Sequence, residues 1–365
     1  MKILVATAGH RPDDDRIYYK EIVTLLAAGH EVTLVTRAQQ PFDPGKAGFS
    51  HVDFVPGRLG SFGRAVEELA AVWRPDIMMI HEFELLLAGS RIRKKWGTPL
   101  VYDVHEAHLE LWDLLSSRRY PVKQIINWGL YRFERSLLKN VDRVLTVSPP
   151  LKTRYERWGR PTTLVPNFPR LGIRIPSKPR EPVVIYAGQL SIERGLMQLI
   201  QAFVGVLDER PDARLELIGP ERLPGLHEKL RTDVVKMGLE KSVTIEGEVS
   251  QAAILQRLTE VQVGVIPFID HPVFHIAIPI KLFEYMLCGC AVVTSDLKMI
   301  RQYAGEAAVF VPPGDVDGLR QMLISLLRDD TRREDLARRG RELVETRYNW
   351  QQVESALLNT LEALG

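Results

Sequence analysis

The chain has 365 residues, more than a single hydrophobic core usually supports, so two domains are expected. Its 48 Lys and Arg residues against 46 Asp and Glu residues give a net charge of +2, which argues against nucleic acid as a partner and against global attraction to anionic lipid. The first apolar run is too short for a signal peptide, and no stretch reaches the ~18 apolar residues of a membrane span, so we expect a cytoplasmic protein.

The first part of the chain alternates short β-branched runs with helical patterns, which predicts parallel βαβ units. The predicted strands cover residues 3–7, 31–36, 77–80, 100–104 and 141–147. Apolar spacing predicts helices over residues 16–28, 64–72 and 85–95. We interpret residues 1–171 as an N-terminal Rossmann-like domain.

A proline-rich crossing over residues 166–182 separates this domain from a second alternating region. Further strands are predicted over residues 183–187, 215–219, 243–246, 263–267, 291–295 and 308–311. Residues 172–347 therefore form a second Rossmann-like domain, and residues 348–365 are predicted as a helix that returns to the first. Because open parallel sheets bind ligands at the carboxyl ends of their strands, functional residues should follow strands and face a shared cleft.

The most informative segment is residues 278–295, IPIKLFEYMLCGCAVVTS. It predicts a helix that begins at Pro279 and is closed by Gly289, followed by a buried strand. Lys281 and Glu284 are three residues apart, share a helix face and are expected to point outward, into the cleft. A helix N-terminus beside a lysine favours a diphosphate, and a glutamate one turn later can accept two ribose hydroxyls. An exposed Lys–Glu surface pair explains the same spacing.

The segment resembles the donor-site motif of the retaining GT-B glycosyltransferases of family 4, the glycosyl transferases group 1 type. The matching residues, in order, are Pro279, Lys281, Glu284, Tyr285, Met286 and Gly289. The resemblance implies an α/β GT-B fold, with two Rossmann-like doubly wound domains facing a cleft. It also implies that Glu284 binds the donor ribose and that Lys281 lies near the phosphates. Where the family has a second acid, this chain has Ile276, which leaves the backbone around Ala277 to hold the sugar or the pyrophosphate.

A second match covers residues 186–196, YAGQLSIERGL, where a predicted strand ends at Gly188. Gln189 stands where the family commonly has an arginine, and Arg194 stands where it commonly has a lysine. The resemblance places both near the donor diphosphate, where Arg194 would stabilise the leaving group. The predicted donor-binding set is completed by Val249, Ala277 and Leu282.

In the first domain, His105 follows the strand in LVYDVHE. The family frequently has a histidine at this strand tip beside the reacting sugar, so we predict His105, Arg194 and Lys281 as the catalytic group. A structural histidine is the alternative. His10, Arg11 and Arg16 follow the first strand and are expected to face the ligand. The segments 13–36 and 164–168 also resemble the family.

The resemblance implies transfer of a hexosyl unit, with retention, from a UDP- or GDP-type sugar to a hydroxyl of a saccharide, a lipid-linked saccharide or a small molecule. Arg194, Lys281 and a helix end supply positive charge, so no metal and no separate cofactor are predicted. The acids at residues 13–15 are interpreted as the start of a helix.

Two other functions stay open. One is a sugar-nucleotide epimerase of the same fold, and the other is a non-catalytic nucleotide-sugar-binding protein, which Ile276 motivates. A nicotinamide dehydrogenase is disfavoured because no glycine-rich turn follows the first strand. The basic and aromatic residues between Arg118 and Arg135, including Trp128 and Tyr131, indicate either an acceptor or membrane-facing surface or a solvated amphipathic helix.

Overall fold

Two compact units divide the chain in the computed structural model, which describes residues 1–37, 40–54, 61–116, 118 and 120–365. The first unit combines Met1–Asn167 with Trp350–Gly365, and the second is Phe168–Asn349. The sequence analysis placed the corresponding boundaries at residues 171 and 348. Arg119, in the basic stretch considered above, lies outside the described residues.

The first unit contains a seven-stranded parallel sheet with the order β3-β2-β1-β4-β5-β6-β7. Its strands are β1 (Lys2–Ala6), β2 (Glu31–Thr36), β3 (Phe49–Asp53), β4 (Ile77–Ile80), β5 (Leu100–Val104), β6 (Arg143–Thr146) and β7 (Thr162–Leu164). The central strands β4 and β5 are buried on both faces and mostly apolar, as a parallel sheet covered by helices requires.

Helices cover both faces of this sheet. They are α1 (Val23–Ala27), α2 (Ser61–Trp73), α3 (Leu86–Trp96), α4 (His108–Leu115), α5 (Val122–Leu137) and α6 (Pro149–Arg157). Because strand side chains alternate, Leu4 packs in one core cluster with Val66 of α2, whereas Ile3 and Val5 pack in the other with Trp350.

The second unit contains a six-stranded parallel sheet with the order β10-β9-β8-β11-β12-β13. Its strands are β8 (Glu181–Ala187), β9 (Arg214–Ile218), β10 (Val243–Glu246), β11 (Val261–Ile266), β12 (Ala291–Ser295) and β13 (Ala308–Val311). Its helices are α7 (Leu196–Glu209), α8 (Leu226–Lys236), α9 (Gln251–Leu258), α10 (Pro272–Ile276), α11 (Ile280–Leu287), α12 (Lys298–Ala304), α13 (Val316–Arg328) and α14 (Asp330–Thr346). The two units are the Rossmann-like domains of a GT-B fold.

The chain changes unit after α14. Asn349 is buried, and its side-chain amide donates to the carbonyls of Val344 and Glu345, which ends that helix. Trp350 is fully buried in the first unit, where its indole N–H donates to Thr24 Oγ1 at 2.9 Å. The last helix, α15 (Glu354–Glu362), packs on the same core cluster of the first sheet.

Two strands and one helix differ from the predictions. The sequence analysis did not predict β3 and β7, which are the edge strands of the first sheet and are only partly buried. The predicted helix over residues 16–28 begins as a π-helix, Ile17–Ile22, and continues as α1. Across the part of the chain that the structure describes, no helix combines the length and the apolar character needed to cross a membrane.

Candidate functional site

Helix α11 is buried along nearly its whole length, including Lys281 and Glu284. The alternative of an exposed surface pair is therefore wrong, and the expected direction of the two side chains, into the cleft, stays a prediction. The helix is fixed to the end of β8 because the hydroxyl of Tyr285 accepts a hydrogen bond from the Ala187 N–H at 2.8 Å. It is closed by Gly289, as predicted, and that residue has a positive φ.

Lys281 carries a buried amino group that has no hydrogen-bond partner among the described residues. Its Nζ atom lies 3.6 Å from the centre of the Tyr186 ring, close enough for a cation–π contact. Burial, together with the positive charge of Arg194, holds the pKa of Lys281 well below its usual value. An anion bound here would supply the missing hydrogen-bond acceptor and favour the charged form.

Gly188, directly after β8, makes room for this amino group. Its φ is +126°, and a Cβ atom at this position would lie 2.8 Å from Lys281 Nζ. Any other residue would meet both backbone strain and a steric conflict. The glycine that ends the strand therefore allows Lys281 to reach the carboxyl edge of the second sheet.

Arg194 brings a second cation to the same aromatic rings. It ends a short 3₁₀ turn, and its Nη1 donates to the Tyr186 hydroxyl at 3.4 Å. The guanidinium of Arg194 lies 5.7 Å from the centre of the Phe268 ring, and Lys281 Nζ lies 5.6 Å from it. The sequence analysis missed Tyr186 and Phe268, although both stand at or just beyond the ends of strands, where that analysis expected functional residues.

Glu284 is oriented by a residue that the sequence analysis also missed. Its Oε1 accepts a hydrogen bond from the side-chain amide of Gln251 at 2.5 Å. Gln251 is the first residue of α9, whose start is capped by Ser250. The spacing of Gln251 after β10 is a signal that could have identified it. The carboxylate is thus buried and fixed, one turn after Lys281.

The other predicted donor-binding residues differ in their exposure and in the hydrogen bonds that they already make. Gln189 accepts a hydrogen bond from Arg222 at 3.4 Å through Oε1. Val249 is exposed after β10, and Ala277 is half-buried at the end of α10. Leu282 is different, since its side chain lies in the core and its N–H already donates to the carbonyl of Pro279.

Ile276, which stands where the family has an acid, is the half-buried last residue of α10. Nearby, the side chains of His275 and Asp270 are hydrogen-bonded at 2.7 Å and are partly exposed.

In the first unit, His105 follows β5 and is half-buried. Its Nε2 lies 3.1 Å from Nε2 of His10, and its Nδ1 has no hydrogen-bond partner within the described ranges. Burial lowers the pKa of His105 to about 4, because the opposing effect of the Asp103 carboxylate is smaller. The imidazole is therefore neutral near pH 7.

His10 and Glu82 form a strong pair beside His105. The two side chains are 2.7 Å apart, and Glu82 also accepts hydrogen bonds from the Thr7 hydroxyl and the Ala8 N–H. Burial alone would lower the pKa of His10, but the hydrogen bond to Glu82 and the charges of Asp14, Glu82 and Glu106 together outweigh it and raise the pKa to about 9. Burial alone would raise the pKa of Glu82, but the same bond, the charges of His81 and His10 and the hydrogen bond from Thr7 together lower it to about 2. The result is a chain of contacts from an ionised carboxylate through a protonated His10 to a neutral His105.

Glu82 was absent from the sequence-based set. It directly follows His81 at the end of β4, just as Glu106 follows His105 at the end of β5. The repeated His-Glu pair after neighbouring strands is the signal that could have revealed it.

Arg16 does not face a ligand, so that prediction is wrong. Its side chain is buried and makes two hydrogen bonds to Asp103, at 3.0 and 3.1 Å, and one to the carbonyl of Val165. Burial alone would raise the pKa of Asp103, but the charge of Arg16, together with Glu21 and two neighbouring histidines, outweighs it and holds the pKa below its usual value. Arg16 is therefore a structural residue whose charge is neutralised inside the first unit.

The acids that precede this helix are also structural. Asp14 accepts hydrogen bonds from the backbone N–H groups of Arg16 and Ile17, both at 2.9 Å. Asp15 pairs with the buried amino group of Lys20, and Asp13 pairs with Arg11. These contacts confirm the interpretation of residues 13–15 as the start of a helix.

The side chains of His81, Asp103 and His105 place three potential metal-ligand atoms within 4.8 Å of one another. Both oxygens of Asp103, however, are hydrogen-bonded to Arg16, so a cation would lie beside a buried guanidinium. Burial and the charge of Asp103 raise the pKa of the neighbouring Glu21 well above its usual value. The charge of Arg16 disfavours a metal ion at this group, although both ring nitrogens of His81 are buried near carboxylates without a hydrogen-bond partner among the described residues. Metal independence stays a prediction.

Comparisons with known proteins agree with this architecture. A family model described as "Glycosyl transferases group 1" matches residues 181–329, and one described as "Glycosyl transferase 4-like domain" matches residues 19–167. A phosphatidyl-myo-inositol mannosyltransferase of Mycobacterium leprae is 31% identical over 201 residues, which cover 54% of this chain and 48% of that protein. The chain spans about half the length of the curated relatives that it matches most strongly.

Two solved structures show the fold over the full length. Sucrose-phosphate synthase from Thermosynechococcus elongatus superposes with a TM-score of 0.77 at 20% identity, and all of both chains is covered. HepE of Anabaena, in complex with UDP-glucose, superposes with a TM-score of 0.79 at 17% identity, again over all of both chains. With one family model matched in each unit, the chain belongs to the group 1 glycosyltransferases of the family 4 type.

Proposed function

We propose that the protein transfers a hexosyl unit from a nucleoside diphosphate sugar to an acceptor hydroxyl. The observation that carries the proposal is the buried amino group of Lys281, which has no hydrogen-bond partner in the described structure and lies beside Arg194 at the end of β8. Two like charges in a dry environment repel one another unless an anion lies between or beside them. A diphosphate is the anion that this arrangement fits best.

The neighbouring groups suit the rest of a nucleotide. Glu284 is buried and fixed by Gln251, so its carboxylate can accept hydrogen bonds from ribose hydroxyls with little loss of side-chain entropy. Gly188 removes the side chain that would block access to Lys281 Nζ. We infer that the second unit binds the donor, with the backbone near Val249 and Ala277 available to the base and the sugar.

The chemistry would rest mainly on leaving-group stabilisation. As the bond between sugar and phosphate breaks, negative charge grows on the diphosphate, and Arg194 and Lys281 would stabilise that charge. The sequence offers an isoleucine, Ile276, where the family has an acid, so no carboxylate nucleophile is assigned. Attack by the acceptor on the same face as the departing phosphate would give retention. We propose that neutral His105, beside protonated His10, acts at the reacting sugar or the acceptor.

The comparisons support a hexose donor. The relative from Mycobacterium leprae is named a mannosyltransferase, and the Anabaena structure contains UDP-glucose. A UDP- or GDP-linked hexose is accordingly the donor that we propose, with a saccharide, a lipid-linked saccharide or a small molecule as acceptor. Neither a metal ion nor a further cofactor is part of the proposal.

Donor binding provides the first test. Calorimetry with UDP-glucose and GDP-mannose should detect binding of at least one donor to the wild-type protein. Lys281→Ala and Glu284→Ala should each weaken that binding by about tenfold or more, the effect of losing a charge-assisted hydrogen bond. Lys298→Ala, which removes an exposed lysine at the start of α12, is the matched control and should bind normally.

Turnover provides the second test. In the presence of acceptors, His105→Ala should lower the rate of nucleotide release by a larger factor than it lowers donor affinity. Unchanged donor affinity in both the Lys281 and Glu284 variants would contradict the site. Tight donor binding without transfer or hydrolysis in the wild type would favour the non-catalytic binding protein instead.

A further inference from the structure

Helix α5 carries its large apolar side chains on the side that faces away from the first unit. Ile125 and Trp128 are each 64% exposed, and Val122 and Phe133 are also exposed. Val122, Ile125 and Trp128 follow one another at three-residue intervals, and Phe133 comes three helical turns after Val122, so all four lie on one side of the helix. We call this side the outer face of α5, and it consists of Val122, Ile125, Trp128, Arg132, Phe133 and Arg135.

The inner side of the same helix is anchored by a carboxylate. Glu134 is only 1% exposed, and it accepts hydrogen bonds from the hydroxyls of Tyr155 at 2.7 Å and Tyr102 at 3.3 Å. His108 Nε2 lies 3.2 Å from its other oxygen. A helix packed on a core usually turns its apolar residues inward and its charged residues outward. In α5 this arrangement is partly inverted, because a carboxylate is buried and large apolar side chains are exposed. The exposed apolar residues are therefore not part of the hydrophobic core of the first unit.

The outer face also carries cations that the fold does not neutralise. Among the described residues, Arg132, Arg135 and the following Lys139 have no acidic partner. The Arg132 guanidinium lies 5.5 Å from the centre of the Trp128 ring. Residues 118–139 contain six Lys and Arg residues and one acid, Glu134, which is the buried carboxylate.

Two shallow surface cavities continue the basic character beside this face. One, of about 500 Å³, is lined by Arg132, Arg135, Lys139, Trp158 and Arg160, among others. The other, of about 460 Å³, is lined by Tyr131, Arg135, Arg154, Arg157 and Trp158, among others. Arg154 is paired with Glu110. The other cations in these linings have no acidic partner among the described residues, and Arg160 donates to the carbonyls of Lys139 and Val141.

We propose that the outer face of α5 docks on an anionic phospholipid membrane. Exposed aliphatic and aromatic side chains would enter the boundary between headgroups and acyl chains, where tryptophan is particularly favourable. The flanking Arg and Lys residues would contact lipid phosphates. A nucleic acid would use the cations but would gain little from Val122 and Ile125. The net charge of only +2 also means that the attraction is local, which suits a surface that docks in one orientation.

Vesicle sedimentation of the full-length protein tests the proposal. The protein should pellet with vesicles of phosphatidylcholine mixed with phosphatidylglycerol, should bind vesicles of phosphatidylcholine alone much less, and should be released by salt. The double variant Ile125→Ser, Trp128→Ser should bind at least about tenfold more weakly. Arg132→Gln with Arg135→Gln should bind about 25-fold more weakly, since each cation at an anionic surface contributes about fivefold.

Controls separate membrane docking from loss of fold or of activity. Val72→Ser removes an apolar side chain that is 85% exposed on α2, outside the outer face of α5, and should bind vesicles like the wild type. All variants should keep the donor affinity of the wild type. Donor binding and vesicle binding are measured separately, so a failure of the proposed function can be distinguished from a failure of membrane docking. If the wild type and the Ile125→Ser, Trp128→Ser double variant bound anionic vesicles equally well, the proposal would be overturned. Self-association of the wild type through this face, detected by analytical ultracentrifugation, without any vesicle binding would also overturn it.

Discussion

Replacing Glu82 by glutamine should remove the charge that keeps His10 protonated. In the wild type, the pKa of His10 is raised from 6.5 to about 9, and its hydrogen bond to Glu82 is the strongest cause of the increase. The difference corresponds to at most about 3.4 kcal/mol, at 1.36 kcal/mol for each pKa unit. Because the folded-state pKa of His10 is the higher one, this stabilisation is complete below pH 6.5 and is lost as the pH rises through about 9.

The stabilisation that Glu82 contributes has the opposite pH dependence. The folded-state pKa of Glu82, about 2, is below the usual 4.5, so its stabilisation is present above pH 4.5 and is lost as the pH falls through about 2. The interaction is therefore complete between about pH 4.5 and 6.5. The free energy of unfolding of Glu82→Gln, measured in urea, should differ most from that of the wild type in this range. The difference should shrink above pH 9.

The direct assay is an NMR titration of the histidine rings, with His10→Gln used to assign the resonance. In Glu82→Gln the pKa of His10 should fall to 6.5 or below, because burial then acts with less opposition. The pKa of His105 should rise at the same time, since the charge of His10 helps to lower it. A pKa of His10 that stays near 9 in the variant would refute this explanation of the His10–His105 contact.

Two further substitutions test the packing around each site. Tyr285→Phe should lower the free energy of unfolding by about 1–3 kcal/mol, because the Ala187 N–H loses its bond to the Tyr285 hydroxyl; an unchanged urea midpoint would contradict this. Arg16→Ala should cost about 3–5 kcal/mol, since it leaves Asp103 buried without its cation. A variant in which Asp103→Asn is added to Arg16→Ala should recover part of that loss in the same measurement.

Much of the fold was predictable because it depends on local pattern. Buried strands such as β4 and β12 are continuous apolar runs bounded by turn residues, and the structure confirms them. The edge strands β3 and β7 were missed because they are short and only partly buried, so their sequences lack that pattern. A strand of this kind is stabilised by its neighbour in the sheet and not by its own composition.

The candidate sites show the same limit more sharply. Lys281 and Glu284 could be identified from spacing and resemblance, but their burial depends on packing between α11 and distant elements. Met286 of α11 lies against Gly340 of α14, more than fifty residues later. The prediction for Arg16 failed for a similar reason, since its partner Asp103 is 87 residues away. Ion pairs between residues far apart in sequence cannot be predicted from the pattern of a short segment.

The burial of Trp350 in the first unit has a consequence for how the protein is made. On the ribosome, residues 1–167 emerge long before Trp350, so the apolar cluster around Ile3 and Val5 lacks its cover while the second unit is synthesised. The first unit can reach its final core only after nearly the whole chain is available. The second unit is continuous in sequence, so it can complete its fold first. The first unit, although most of it is synthesised earlier, completes its core later.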